Sequence, residues 1–221
     1  MIAGVRLIII GRQGAGKGTQ CQRMSRHYVV PHISTGDMLR AAVREGTDLG
    51  REAKAVIEAG SLVGDEIMIE LVRTRLDQDD ARTRGYILDG FPRTVTQAEA
   101  LDVITERHPI HAVIDLDVPR DLVIDRISAR RTCRDCGTNY QARGIERHPW
   151  ICDQCGGDVV QRDDDTREAV TRRLDLYETQ TAPLLEYYEN RGRLTVVDGR
   201  GTPDAVFHSL TSAIEAARGS A

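Results

Sequence analysis

Residues 8–20 read IIIGRQGAGKGTQ, an apolar run that breaks into glycines around a single lysine, Lys17. A buried strand entering a glycine-rich turn and then a helix aims backbone N–H groups and the positive helix end at one point. That arrangement suits a polyphosphate. Gly11, Gly14, Gly16 and Gly18 permit close approach of the backbone, and Lys17 supplies a compact ammonium for the β and γ phosphates. The strict phosphate-loop pattern wants a hydroxyl directly after the lysine, but Gly18 stands there and the hydroxyl is delayed to Thr19. Thr19 still has the reach to face Mg²⁺ or a phosphate.

A second constellation lies far along the chain. CRDCG and CDQCG place Cys133, Cys136, Cys152 and Cys155 as two C-x₂-C pairs separated by fifteen residues, with Gly137 and Gly156 after each pair. Two tight knuckles of this kind supply four thiolates, the ligand set of a closed tetrahedral zinc centre. Such a centre has no open position, so it folds a segment and does no chemistry. The alternative is a disulfide framework. Cys21 falls outside the set and reads as a buried helix residue.

These groups need a scaffold, and the remaining sequence supplies one. The 221 residues are 40% hydrophobic and 29% charged, enough for one α/β core with insertions. Apolar runs at 5–10, 86–88, 112–116 and 195–197 read as strands. Helical patterns fall between them at 17–27, 37–44, 49–59, 66–77, 94–107, 121–130, 167–190 and 203–217. Strands alternating with helices imply βαβ units and a parallel sheet. The stretch 133–157 breaks the pattern: it is poor in aliphatic residues, holds the only tryptophan, Trp150, and reads as an insertion with its own means of staying folded.

Composition narrows the function. A net charge of −4 argues against bulk electrostatic binding of nucleic acid. The apolar run at 5–10 is too short for a membrane span or a signal segment, so the sequence reads as cytoplasmic, with its cysteines as thiols or metal ligands. Lys17 and Lys54 are the only lysines among 30 basic residues, the rest being arginine. Codon bias accounts for most of that excess, which makes the lysine kept in the loop stand out.

ISTGDMLR (33–40) and LDGFPRT (88–94) follow the phosphate loop in order, and with it they resemble the adenylate kinases. DRISARR (125–131) and TAPLLEYY (181–188) extend the resemblance over nearly the whole chain. G-K-G-T is the usual loop of that family, so Gly18 is a family variant. Gln13 departs from it where proline is common, and the cysteine insertion is shorter than in many bacterial relatives.

The resemblance implies an α/β P-loop kinase fold. Its core would comprise 1–33, 64–128 and 166–221, with an AMP-binding helical insertion at 34–63 and a small zinc-binding lid at 129–165. It implies transfer of a phosphoryl group between ATP and AMP, with Mg²⁺ alongside ATP and a structural Zn²⁺ in the lid. ATP would meet Gly14, Ala15, Gly16, Lys17, Gly18, Thr19, Arg126, Arg130 and Gly199. AMP would meet Thr35, Arg40, Gly90, Arg93, Arg162 and Arg173, with Gln97 reading adenine and Ser61, Leu62 and Val63 lining the base. Lys17, Arg93, Arg130, Arg162 and Arg173 would be catalytic, and Asp89 would orient the waters of magnesium. ATP, AMP and ADP would be the partners of a monomer free of nucleic acid and membrane.

The chemistry fits these residue types. A phosphate dianion is already a nucleophile, so no general base is required, and the matched motifs contain no histidine. The obstacle is the crowding of roughly six negative charges, which lysine, magnesium and forked arginines offset. Water would compete as acceptor, so the site should close only over both substrates. Kinases for UMP, CMP or GMP share such a scaffold, but Gln97, Thr35 and the long lid favour AMP. A zinc-ribbon nucleic-acid ATPase is disfavoured by the charge and by few aromatics near the knuckles beyond Tyr140 and Trp150. A regulatory GTPase is disfavoured because no N-K-x-D motif occurs.

Overall fold

The computed structural model describes residues 4–58, 61–142, 150–162 and 165–219. Strand β1 (Arg6–Ile10) leads through the glycine loop into helix α1 (Lys17–Tyr28). Then come β2 (His32–Ser34), α2 (Thr35–Glu45), α3 (Asp48–Glu58), α4 (Asp65–Leu76), α5 (Asp79–Arg84) and β3 (Tyr86–Asp89). Next are α6 (Val95–Ile104), β4 (Ala112–Asp117) and α7 (Arg120–Ser128). Strands β5 (Arg130–Cys133), β6 (Asn139–Gln141) and β7 (Val159–Val160) form the cysteine segment. The chain ends with α8 (Arg167–Leu176), a π-helical turn (Tyr177–Thr181), α9 (Ala182–Glu189), β8 (Leu194–Asp198) and α10 (Pro203–Gly219).

Five parallel strands in the order β2-β3-β1-β4-β8 make the central sheet, so β1 lies in the middle and its loop opens between the ends of β3 and β4. Alternation along β1 divides the core. Leu7 and Ile9 pack with Met24, Leu116, Leu174, Leu210 and Ile214, while Ile8 and Ile10 pack with Val72, Leu88, Leu101, Leu184 and Tyr188 on the opposite face. A strand apolar on both faces is what a parallel sheet covered by helices requires.

The four predicted strands and eight helical patterns all correspond to elements, with differences that have local causes. Strand β2 and helix α5 are absent from the sequence reading, because three and six residues are too short to show a period. Thr94 caps α6 and does not belong to it, since its side chain accepts the Gln97 N–H at 3.2 Å. The long pattern at 167–190 is interrupted by the π-helical turn, and Ala59, the last residue predicted for the third helix, lies outside the described residues, as do 143–149 and 163–164 of the predicted lid.

The cysteine segment forms a separate antiparallel sheet, β6-β5-β7. Among the described residues, its only buried cluster is Cys133, Cys152 and Val159, flanked by Tyr140 and Trp150. A core that small needs another source of cohesion.

Candidate active site and metal centre

The glycine loop closes on itself around Lys17. Gly14 has φ 83°, and a Cβ there would lie 2.7 Å from the Val123 carbonyl oxygen and from Ile127 Cγ1, so only glycine lets the loop pack against α7. Lys17 Nζ donates to the carbonyls of Gly11 at 2.7 Å and Arg12 at 3.0 Å. An ammonium has three protons, so one remains for a ligand. Burial pulls the Lys17 pKa down, aided by the charges of Arg93 and Arg130, while Asp89 and Cys21 oppose the shift.

One cleft gathers nearly every residue singled out from the sequence: Gly14, Gly16, Lys17, Gly18 and Thr19 from the loop, Thr35 and Arg40 from α2, and Ser61, Leu62 and Val63 beyond α3. Asp89, Gly90, Arg93 and Gln97 line it from β3 onward, and Arg126, Arg130, Arg162 and Arg173 complete it. Ala15 and Gly199 are not on its wall. They reach it through Arg126, whose guanidinium donates to the Ala15 carbonyl at 3.2 Å and the Gly199 carbonyl at 3.0 Å. A Cβ at Gly18 would lie 3.7 Å from Asn139 Nδ2 and 3.8 Å from Asp89 Oδ2, so the loop faces both the lid sheet and the β3 carboxylate at this point.

The turn after β3 sets the arginines. Gly90, at φ 82°, places its carbonyl to accept from Arg93 Nε at 2.9 Å and from Thr35 Oγ1 at 2.9 Å. The Phe91–Pro92 peptide that follows is cis. Burial lowers the Arg93 pKa to about 10, and the neighbouring charges of Arg173 and Arg40 add to the effect against Asp89. Mutual repulsion among these cations favours an anionic ligand beside them. Arg173 donates to the Ile57 carbonyl at 3.2 Å, tying α8 to the end of α3.

Gln97 is 2% exposed and its amide is already employed. Its Oε1 accepts the Arg93 N–H at 2.8 Å and its Nε2 donates to Asp65 Oδ1 at 2.7 Å, which leaves one N–H for a base.

Three residues near the loop, His32, Asp165 and Asn139, carry no signal strong enough to find them by sequence alone. His32 lies one position before the ISTGDMLR stretch, and its Nε2 is 3.2 Å from Asp89 Oδ2. Burial pushes the Asp89 carboxyl up, but the His32 hydrogen bond and charge, with Lys17 and Arg93, hold it below the usual carboxylate range. Asp165 has a fully buried side chain, paired with Arg130 through both carboxylate oxygens. Gln13, the departure noted in the loop, donates to the same Asp165 at 3.1 Å and so joins loop to lid, a bond proline lacks the group to make. Asn139 accepts from Arg162 at 3.2 Å, while Arg162 Nε donates to Thr132 Oγ1 at 3.0 Å.

All four lid sulfurs lie within 4.8 Å of one another. The Cys133–Cys155 and Cys136–Cys152 pairs are 3.5 Å apart, and all cysteines are free thiols, so the disulfide alternative is not realised. Zn–S bonds near 2.3 Å put sulfurs roughly 3.8 Å apart in a tetrahedron, so the set fits zinc with small adjustment. Each knuckle closes alike, Gly137 N–H on the Cys133 carbonyl at 3.1 Å and Gly156 N–H on the Cys152 carbonyl at 2.9 Å. Tyr140 hydroxyl, 3.1 Å from Cys152 Sγ, draws that thiol down to about 6, favouring the thiolate a metal needs.

The family model described as adenylate kinase matches residues 9–193. An adenylate kinase of Moorella thermoacetica is 49% identical over 213 residues, covering 95% of this chain and 98% of the relative. Adenylate kinases of Thermodesulfovibrio yellowstonii and Methanosarcina mazei are each 46% identical, over 96% and 95% of this chain and 99% and 98% of their own lengths.

Proposed function

The chain belongs to the adenylate kinase family and catalyses reversible phosphoryl transfer between ATP and AMP to give two ADP; on that premise we propose the roles of its cleft residues. The observation that carries the assignment is the gathering of Lys17, Arg93, Arg130, Arg162 and Arg173 on one wall-to-wall cationic cleft, with Asp89 as the nearby carboxylate.

ATP lies along the loop, its phosphates on the N–H groups of Gly14 to Thr19 and on the remaining proton of Lys17. Arg126 braces the loop from behind through the Ala15 and Gly199 carbonyls. AMP enters between α2 and α3, its phosphate held by Arg40, Arg93 and Arg173 and its base read by the free N–H of Gln97 against Ser61, Leu62 and Val63. Thr35 orients the Gly90 turn that aims Arg93.

Transfer asks for no base. The AMP phosphate attacks in line while the arginine forks and Lys17 hold the charge that spreads over the transferring group. Mg²⁺ bound with ATP supplies further charge neutralisation, and Asp89, held ionised by His32, Lys17 and Arg93, is the residue to orient its waters. Arg130 and Arg162 come with the lid, so completion of the site and exclusion of water are one event.

The division into a core (1–33, 64–128, 166–221), an AMP-binding segment (34–63) and a lid (129–165) is supported by the separate lid sheet and by Asn139 lying over Gly18. Structural zinc on the four lid cysteines is supported by their spacing. We assign the protein to the cytoplasm as a monomer acting on free nucleotides without nucleic acid or membrane; no helix among the described residues is long and apolar enough to cross a membrane. A coupled assay of ADP formation from ATP with AMP, UMP, CMP or GMP tests the acceptor. AMP should be used at least a hundredfold more efficiently, on the order of discrimination a hydrogen-bonding base pocket gives, and faster turnover of any other monophosphate overturns the reading.

A further inference from the structure

Besides the lid cysteines, one other group of metal-ligating side chains comes together among the described residues. Cys21, His32 and Asp89 each offer a ligand atom, and all of these lie within 4.8 Å of one another. They arrive from separate elements. Pairing of His32 with Ile87 and of Ser34 with Asp89 makes His32 and Asp89 diagonal neighbours on one face of the β2–β3 pair, and α1 crosses β3 with Cys21 turned inward.

We infer that Cys21, His32 and Asp89 form a site for a soft divalent transition-metal ion such as Zn²⁺, separate from the lid centre, whose occupation takes Asp89 from its service to magnesium and inhibits transfer. Bonds of about 2.0–2.1 Å from zinc to imidazole nitrogen and carboxylate oxygen put those atoms roughly 3.3 Å apart in a tetrahedron. His32 Nε2 and Asp89 Oδ2 are 3.2 Å apart. The sulfur has only to close a gap that is already under 4.8 Å.

The ligand chemistry sorts the metals. Sulfur, nitrogen and a single carboxylate suit zinc, whereas magnesium demands oxygen ligands and an octahedral shell. His32 and Asp89 line the cleft while Cys21 is fully buried behind them, so a fourth position faces the cleft and is open to water or a nucleotide oxygen. The nearby cations Lys17 and Arg93 disfavour an extra positive ion, but a thiolate and a carboxylate together cancel its charge. Burial keeps Cys21 as the neutral thiol in the metal-free protein, so binding releases that proton to solvent. The competing account makes Cys21 a core residue and the His32–Asp89 bond an orienting contact, and it predicts no second ion.

Equilibrium dialysis decides between them without any catalytic readout, and so stands apart from the kinase assignment. Protein carrying its lid zinc, in excess Mg²⁺, is dialysed against rising Zn²⁺, and ADP formation is followed over the same range. Wild type should take up a second zinc per chain, with inhibition at the same zinc concentration. Cys21→Ala should shift both midpoints upward by about tenfold or more, since losing a direct ligand costs at least what losing a supporting partner does. Its zinc-free turnover should stay within about twofold, because Cys21 touches no substrate group. Cys21→Ser, which keeps the side-chain volume, serves if the alanine variant folds poorly, and His32→Gln should shift the midpoints in the same direction. Uptake of a single zinc by wild type, or identical dialysis curves for wild type and the Cys21 variants, overturns the site. A second ion bound without inhibition overturns the role given to Asp89.

Discussion

Arg93 shows how far one side chain's surroundings fix its use. It is half-buried, its Nε is spent on the Gly90 carbonyl, and the charges of Arg173 and Arg40 press on its guanidinium. Only a fork can bind the turn and still present paired donors to phosphate. Arg93→Lys should therefore lower turnover by about a thousandfold, the scale seen for arginines in other phosphoryl-transfer sites, with little change in Tm. Steady-state rates and thermal unfolding on one preparation check this, and near-normal turnover in a folded variant would remove Arg93 from the mechanism. Gln97 holds the Arg93 N–H and Asp65, and in the proposed role it also reads adenine. Gln97→Ala should raise KM for AMP by about tenfold with KM for ATP unchanged, and should also cost about 1–3 kcal/mol of stability, because the Arg93 N–H and Asp65 lose their buried partner. Equal changes in both KM values would leave Gln97 as a fold residue only.

The elements most readable in the sequence are those with a long period or a breaker residue. β1, the glycine loop and α1 follow from apolar run, glycines and lysine, and the cysteine knuckles from cysteine spacing. Long-range pairing is what one chain of letters hides. Nothing local links Gln13 to Asp165 across 152 positions, or His32 to Asp89 across 57. The π-helical turn is similarly silent, yet it brings the Tyr177 hydroxyl to Asp115 Oδ1 at 3.2 Å and sets Arg12 over the Tyr177 ring at 5.2 Å. Asp115 lies buried within β4, and burial raises its pKa, with Asp117 assisting, against the Tyr177 bond, Arg12 and Lys17. A raised acid pKa in the folded state means ionisation opposes folding, a penalty that grows as pH rises from the unfolded to the folded pKa and stays above it. Asp115→Asn, which keeps the acceptor for Tyr177, should then melt higher than wild type at pH 7, with the gap closing toward pH 3. Melting curves across that range check the sign, and a variant less stable at pH 7 would show that the carboxylate charge is wanted.

At the scale of the whole molecule, a core divided by its sheet carries a lid with almost no core of its own. If four thiolates and a zinc ion hold that lid, changing both Cys152 and Cys155 to Ser should release one zinc per chain and lower the lid's melting temperature. Turnover well below that temperature should largely remain, since Arg130 and Arg162 sit outside the knuckles. Metal content, unfolding and ADP formation test this together: unchanged unfolding with abolished turnover would make the zinc catalytic, and metal-free wild type would remove the centre. Asp165 gives the lid a further property. Its buried carboxylate accepts from Gln13 and pairs with Arg130, so the chain carries its own stand-in for a phosphate. If Arg130 binds nucleotide phosphate as proposed, the nucleotide takes it from this resident anion and leaves the buried Asp165 carboxylate with Gln13. On that proposal the cleft is shielded from stray anions at the cost of some affinity for ATP. Asp165→Asn should make the protein several-fold more sensitive to inhibition by inorganic phosphate, read from ADP formation in rising phosphate, and an unaltered sensitivity would mean that the carboxylate only braces the lid. Selectivity for a nucleotide would then owe as much to an acid built into the fold as to the bases that bind.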